Sequence, residues 1–368
     1  MNIGLLIGNL GNGGSERQLA ELAVGLAACG HVVEVVAYDG PGAYDEFVRS
    51  HNVPVRVFHA RSRREKVRVV RQWMREFRPD IMHGFMKRAS MVAILAAGVP
   101  AQCRVIASDF STATYGRWKP SLWAALGVFG LSDRVVTQTV TNQRSLGTLA
   151  PWLRRKTVVI RNGVNTKRFS PPDCKNVRPV FRFVSVGSVY RVKNPVRVVQ
   201  AVALLRQRTV PPFRLDWLGR PGLGSTPSAE HGEAVRFVEQ NNLQEIVAFP
   251  GPSAQIEAEY RAADALVHVS LQEGIPNAVV EAMACGLPII VSRVSDLPLL
   301  VAEARNGFVC DELDVFAIAD AMERMMRIGQ DERASMASRS RELAVRWFAK
   351  ERFVGDYARL YAEVTGVS

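Results

Sequence analysis

Glu273-Gly274-Ile275-Pro276-Asn277-Ala278-Val279-Val280-Glu281-Ala282-Met283-Ala284-Cys285-Gly286 sets two carboxylates eight positions apart around the start of a short apolar helix. Pro276 suits the first helical position, where its missing N–H costs nothing. Gly286 suits the residue just past the helix end. Glu281 then stands on the helix about one turn from its start, and Glu273 lies in the loop before it. A helix N-terminus offers N–H groups and a partial positive charge to an anionic or polyhydroxylated ligand. The plainer alternative is a capped surface helix with two incidental acids.

Working outward, Ala265–Val269 reads as a strand before this helix and Leu287–Ser292 as one after it. The same strand–helix alternation fills the rest of the chain. In the first half it runs through Asn2–Gly8, a glycine loop, a helix opened by Ser15 with Gln18 as its capping-box partner, and Val32–Ala37. It continues through Val53–Phe58, a basic helix, Ile81–His83, Cys103–Ala107, Val135–Thr139 and Val158–Ile160. In the second half it runs through Phe181–Val186, Val196–Leu205, Arg214–Gly219, a helix near Ala234–Asn241 and Ile246–Pro250. Ser170-Pro171-Pro172-Asp173 is the expected linker, polar and stiff. Trp347 to Thr365 reads as one helix whose Phe353, Tyr357, Leu360 and Tyr361 form an apolar face in need of a groove.

A chain of 368 residues, 48% hydrophobic and 22% charged, has material for two domains. The net charge of +12 points to an anionic partner: nucleotide phosphates, a phospholipid surface or nucleic acid. Cys29, Cys103, Cys174, Cys285 and Cys310 are scattered and make no C-x-x-C, so reduced thiols and a cytoplasmic location are expected. No basic leader precedes the first apolar run, so no signal peptide is expected. The longest apolar stretch, Leu122–Leu131, is too short to span a bilayer.

Further motifs fall in order: Gly13-Gly14-Ser15-Glu16-Arg17, Arg78-Pro79-Asp80-Ile81-Met82-His83, Ile160-Arg161-Asn162-Gly163-Val164-Asn165, Phe169-Ser170-Pro171, Ser185-Val186-Gly187 with Lys193-Asn194, and Gly286-Leu287-Pro288 after the paired glutamates. Together they resemble the retaining glycosyltransferases of family 4, which have the GT-B fold, over nearly the whole chain. The resemblance implies two Rossmann-like domains facing across a cleft. An acceptor-binding domain would span 1–172 and a nucleotide-sugar domain 173–345, with a C-terminal helix at 346–368 packing back on the first.

The resemblance also implies roles. Glu273 would lie beside the transferred sugar, with the backbone of Gly274, Ile275, Pro276 and Asn277 on its hydroxyls. Glu281 would hold the ribose diol, since a carboxylate accepts two hydroxyl hydrogen bonds. Lys193, after Gly187, would meet the diphosphate, whose charge grows as the glycosidic bond breaks. The family's usual arginine after that glycine is Ser188 here. Arg191 is either its substitute or a solvated surface residue. Gly13 and Gly14 suit close backbone approach to a donor phosphate, although a tight turn explains them equally. No D-x-D triad is present, and neither a metal nor a cofactor is expected.

On the acceptor side two readings of His83 stand, structural or ligand-facing. Relatives carry a histidine in the following strand–loop segment; here it reads Ala107-Ser108-Asp109-Phe110, with Asp109 near the expected place. Asn165 replaces the commoner aspartate. The basic run Arg49–Arg78 and the segment Tyr115–Leu131 suggest peripheral contact with an anionic membrane on its inner face, with Trp118, Trp123 and Phe129 seated in the interface. The plainer reading is a solvated helix face plus a core helix. The implied function is sugar transfer, with retention, from a nucleoside diphosphate sugar, UDP first, to a glycan or lipid-linked acceptor. A sugar-nucleotide epimerase or hydrolase of the same fold is the first rival. A basic nucleic-acid-binding protein is the second, though nothing else in the chain supports a nucleic-acid partner.

Overall fold

Valine- and isoleucine-rich strands buried on both faces organise the computed structural model, which describes residues 1–109, 120–173, 179–224 and 226–366. Such strands belong in parallel sheets covered by helices on each side. The chain divides into two units, one of Met1–Gly163 with Lys350–Ser368 and the other of Val164–Ala349.

The first unit runs β1 (Asn2–Ile7), α1 (Gly14–Ala28), β2 (Val32–Ala37), α2 (Asp45–Ser50), β3 (Val55–Val57), α3 (Arg63–Phe77), β4 (Ile81–Gly84), α4 (Lys87–Ala97), β5 (Arg104–Ser108), α5 (Pro120–Phe129), β6 (Arg134–Thr137), α6 (Val140–Leu149) and β7 (Thr157–Val159). Its seven strands are parallel in the order β3-β2-β1-β4-β5-β6-β7. The second unit runs β8 (Phe181–Val186), α7 (Pro195–Arg206), β9 (Phe213–Leu218), α8 (Ala229–Gln240), β10 (Val247–Ala248), α9 (Ile256–Ala262), β11 (Ala265–His268), α10 (Asn277–Ala284), β12 (Ile289–Ser292), α11 (Leu297–Ala304), β13 (Gly307–Cys310), α12 (Val315–Arg327) and α13 (Gln330–Phe348). Its six strands are parallel in the order β10-β9-β8-β11-β12-β13. The strand order reverses between β1 and β4 in one sheet and between β8 and β11 in the other. In open α/β sheets ligands bind at the carboxyl ends of the strands at such reversals.

The C-terminal helix is two helices. α13 stops at Phe348, Ala349 is extended at φ −55° and ψ 137°, and α14 (Lys350–Thr365) begins after it. Alanine is the best intrinsic helix former, so the break comes from tertiary structure and not from local propensity. It falls where the chain leaves the second unit, with Val164 N–H donating to Phe348 C=O at 2.7 Å as the outgoing and returning segments run side by side. α14 then enters the first unit's core. Phe353, Tyr357, Leu360 and Tyr361 pack with Leu19, Leu22 and Leu26 of α1. Helix α1 meets α14 so closely that a Cβ on Gly25 would sit 2.3 Å from Val354 Cγ2.

Gln18 does not close a capping box. Helix α1 starts at Gly14 with Gly13 as its N-cap and no side-chain cap. Gln18 instead clamps Gly163, donating to its carbonyl at 2.8 Å and accepting from its N–H at 2.8 Å.

Candidate active site

The reversal point of the second sheet gathers the polar residues that the sequence singled out. Gly187 follows β8 with φ +136°, a backbone conformation that excludes side chains. Its carbonyl accepts from Trp217 Nε1 at 3.0 Å, and the Lys193 chain lies over its open face. Lys193 ends a single 3-10 turn, Arg191–Lys193, after which Asn194 takes a left-handed conformation and caps α7. Asn194 is fixed by donating to Glu312 C=O at 2.7 Å. The loop after β11 is stitched to this turn by Leu271 N–H donating to Val192 C=O at 2.8 Å.

That stitch brings Glu273 onto Lys193. The Lys193 ammonium pairs with Glu273 Oε1. His268, the last residue of β11, places Nε2 at 3.1 Å from the same oxygen and at 3.2 Å from Ser270 Oγ. Burial would raise the Glu273 carboxyl, but the Lys193 charge, with His268 donating, outweighs it and holds the group down at about 2. Burial and the nearby Lys193 charge pull His268 below its ordinary value in spite of Glu273. The centre is therefore an anion and a cation flanked by a neutral imidazole. His268 and Ser270 escaped the sequence reading, because a histidine at the end of a buried strand carries no signal until its neighbour across the loop is known. Arg191 is exposed at the start of the turn.

Helix α10 begins one residue later than expected. Pro276 is its N-cap in extended conformation, and Asn277 is the first helical residue. The offset is physical: proline's fixed φ fits a cap, and its carbonyl accepts from Val279 and Val280 N–H. Ile275 is a core residue, so only its backbone can face a ligand, while Gly274 and Asn277 are half-buried. Glu281 is 4% exposed and accepts from Tyr260 Oη at 3.0 Å. The tyrosine, on α9, is a second partner that the sequence did not reveal.

In the first unit the candidates separate. His83 is fully buried at 0% exposure, with Nδ1 2.6 Å from Tyr361 Oη and Nε2 2.6 Å from Ser108 Oγ. Burial pulls its pKa down to about 3. Both ring nitrogens are taken by core hydroxyls, an arrangement that fits the structural of the two readings of His83. Tyr357 also bonds Ser108, so α14 is tied to the ends of β4 and β5. Asp109, directly after β5, is buried with its carboxylate 3.3 Å from Lys87 Nζ at the start of α4. Asn142 Nδ2 donates to the Asp109 carbonyl at 2.7 Å. Gly13 and Gly14 are exposed, the one as N-cap and the other as first residue of α1. Glu16 folds over Gly13 so tightly that a Cβ there would sit 2.1 Å from its Oε2, so a carboxylate of the chain already faces this helix start. Asn165 turns its own loop, its Oδ1 accepting from Lys167 and Arg168 N–H at 3.1 Å each.

The basic run is partly spent inside the fold. Arg56 pairs with Glu34 and Lys66 with Asp39, while Arg71 donates to the last carbonyls of α4, at Leu95 and Ala96. Arg64, Arg68 and Arg75 are exposed. Phe129 is 0% exposed in the core and cannot seat in a membrane interface, because it shares a buried face of α5 with Leu122 and Leu126 that packs in one cluster with Leu146 and Leu153. Trp123, flanking that face, is 45% exposed, and Trp152, which donates to the Leu126 carbonyl of α5, is 51% exposed beside exposed Arg154 and Arg155. Residues 115–119 of the aromatic segment, with Trp118, lie outside the described residues. Among the described residues no helix is long and apolar enough to cross a membrane. Among them, too, no group of three or more histidine, cysteine or carboxylate side chains is placed to hold a metal.

Comparison with known proteins identifies the family and the fold. Residues 12–168 match the family profile described as Glycosyltransferase Family 4, and residues 176–343 match that described as Glycosyl transferases group 1. WcaL of Escherichia coli K12, named for colanic acid biosynthesis, is 30% identical over 197 residues, 51% of this chain and 47% of that protein. The D-inositol 3-phosphate glycosyltransferase of Mycolicibacterium smegmatis is 28% identical over 204 residues, 53% of this chain and 45% of its own. The matches thus span about half the length of these relatives. Among solved structures, Anabaena HepE in complex with UDP-glucose superposes with a TM-score of 0.84 at 19% identity, over 99% of this chain and 100% of its own. Sucrose-phosphate synthase from Thermosynechococcus elongatus gives 0.83 at 19% identity, over 100% of both chains. At these identities the likeness is one of fold.

Proposed function

The chain belongs to glycosyltransferase family 4 and has the GT-B fold, and on that premise we propose that it transfers a sugar from a nucleoside diphosphate sugar to a glycan or lipid-linked acceptor with retention of configuration. The observation that carries this reading is the convergence of Lys193, Glu273 and His268 at the carboxyl ends of β8 and β11, with the buried Glu281 about one turn into the helix that follows. On this reading Lys193 meets the diphosphate and Glu281 the ribose diol, with Tyr260 holding the carboxylate in place. Glu273 meets the sugar hydroxyls, assisted by the backbone of Gly274, Ile275 and Asn277. A carboxylate held near 2 stays ionised at every working pH, which suits a hydroxyl acceptor and not a general acid. Growing charge on the leaving diphosphate is met by Lys193, so the reaction asks for no metal ion.

UDP is the first choice of nucleotide, supported by the UDP-glucose bound to HepE. Colanic acid biosynthesis in the name of WcaL supports a polysaccharide or glycolipid acceptor. The acceptor side of the proposal lies in the first unit at Lys87 and Asp109, after β4 and β5. Peripheral membrane contact through Trp123 and Trp152 with Arg154 and Arg155 would suit a lipid-linked acceptor, and exposed aromatics beside cations support that surface.

The test is product analysis with a panel of labelled nucleotide sugars, with and without extracts carrying glycan and lipid-linked acceptors. Label moving into an acceptor with the anomer retained is expected. Release of free or epimerised sugar alone, whatever acceptor is present, would replace transfer by the hydrolase or epimerase reading.

A further inference from the structure

Every hydrogen bond that the described residues make to the Glu273 carboxylate ends on Oε1. One comes from Lys193, a flexible point charge on a loop turn, and the other from His268, which is 4% exposed and rooted in β11. The tautomer of His268 follows from its partners. An ionised carboxylate only accepts, so Nε2 must carry the proton and donate to Glu273. Ser270 Oγ, 3.2 Å from the same nitrogen, then accepts from it. Strand, imidazole and carboxylate form a support that fixes Oε1 and leaves Oε2 to other partners.

We propose that His268 is the positioning residue of the donor site, holding Glu273 by Oε1 so that Oε2 faces the hydroxyls of the transferred sugar. The proposal rests on the donor reading of Glu273. Lys193 cannot do this work alone, since on that reading it also serves the diphosphate. His268 is the donor whose place does not change with the ligand.

Two variants test it in the full chain. His268→Leu keeps the bulk and removes the donor; His268→Gln returns an N–H near the position of Nε2. Because a hydrogen bond to a charged group is involved, His268→Leu is expected to lower kcat by about tenfold to a hundredfold, with UDP affinity and the KM for the nucleotide sugar within about threefold. His268→Gln should recover most of the loss. Equal losses in both variants, or wild-type turnover in His268→Leu, would overturn the proposal. A second readout needs no turnover: the ring nitrogens of 15N-histidine-labelled protein should report the Nε2–H tautomer, and Glu273→Ala should relax it. An Nδ1–H tautomer, or one indifferent to Glu273→Ala, contradicts the geometry. If the unsubstituted protein turns over no nucleotide sugar, the donor reading fails, and the nitrogen signals decide separately whether His268 holds Glu273.

Discussion

The two sheets carry a histidine at nearly the same place, and the two histidines do opposite things. His83 lies in β4, beside the first strand of its sheet; His268 ends β11, beside the first strand of the other. Both are buried, and burial holds both below the ordinary imidazole range. What differs is the segment that arrives to meet them. α14 brings Tyr361 onto His83 and Tyr357 onto Ser108, sealing that strand end into the core. The loop after β11 brings Glu273 to His268, and Lys193 adds a cation. A shared topology offers the position, and the connecting segments decide whether the imidazole meets core hydroxyls or a charged pair.

The sharpest way to break this contrast is at the carboxylate. Glu273→Gln should lower transfer by roughly 10²–10³-fold while leaving nucleotide affinity within about threefold. Equal collapse of binding would move Glu273 to the nucleotide side. The next effect belongs to His83 and is read in stability. The unfolded imidazole protonates near 6.5 and the folded one only near 3, so between these values the unfolded state binds more protons. Stability from this group is therefore complete above pH 6.5 and falls as the pH drops toward 3, by about 1.4 kcal/mol per unit. Urea unfolding at pH 7 and pH 5 should show wild type losing about 2 kcal/mol more than His83→Gln across that interval. Equal pH dependence would mean that His83 is not sealed in the folded state. His268 contributes in the same direction in both proteins and cancels.

Tyr361→Phe should cost about 1–3 kcal/mol by leaving His83 short of a partner, with no change in UDP affinity measured calorimetrically. A change in affinity would tie α14 to the donor site. The smallest effect concerns the surface. Alanine at both Trp123 and Trp152 should reduce sedimentation with anionic vesicles several-fold at low salt and leave stability within about 1 kcal/mol. Unchanged sedimentation, or none in wild type, would remove the membrane surface.

The alternation of strands and helices was legible in the chain because parallel strands are continuous apolar runs, and Val32–Ala37 and Phe181–Val186 match the observed strands residue for residue. Lys193 and Glu273 stood out in the chain because glycine and proline punctuate their loops, and the structure sets the one against the other. Long-range partners left no local trace. Tyr260 lies 21 positions from Glu281, and Tyr361 lies 278 from His83. Nothing near Ala349 marks the helix break, which is imposed by the chain's passage between units. His83 and Asp109 looked alike as strand-end polar residues, and only packing separated the sealed imidazole from the carboxylate paired with Lys87.

The most direct test is calorimetric titration of UDP-sugars into wild type, Lys193→Met and Glu281→Gln. Donor binding at the β8–β11 reversal predicts that wild type binds and that each variant loses at least about tenfold in affinity, the loss of one charge-assisted contact. Wild-type affinity in both variants would contradict it and place the nucleotide elsewhere on the chain.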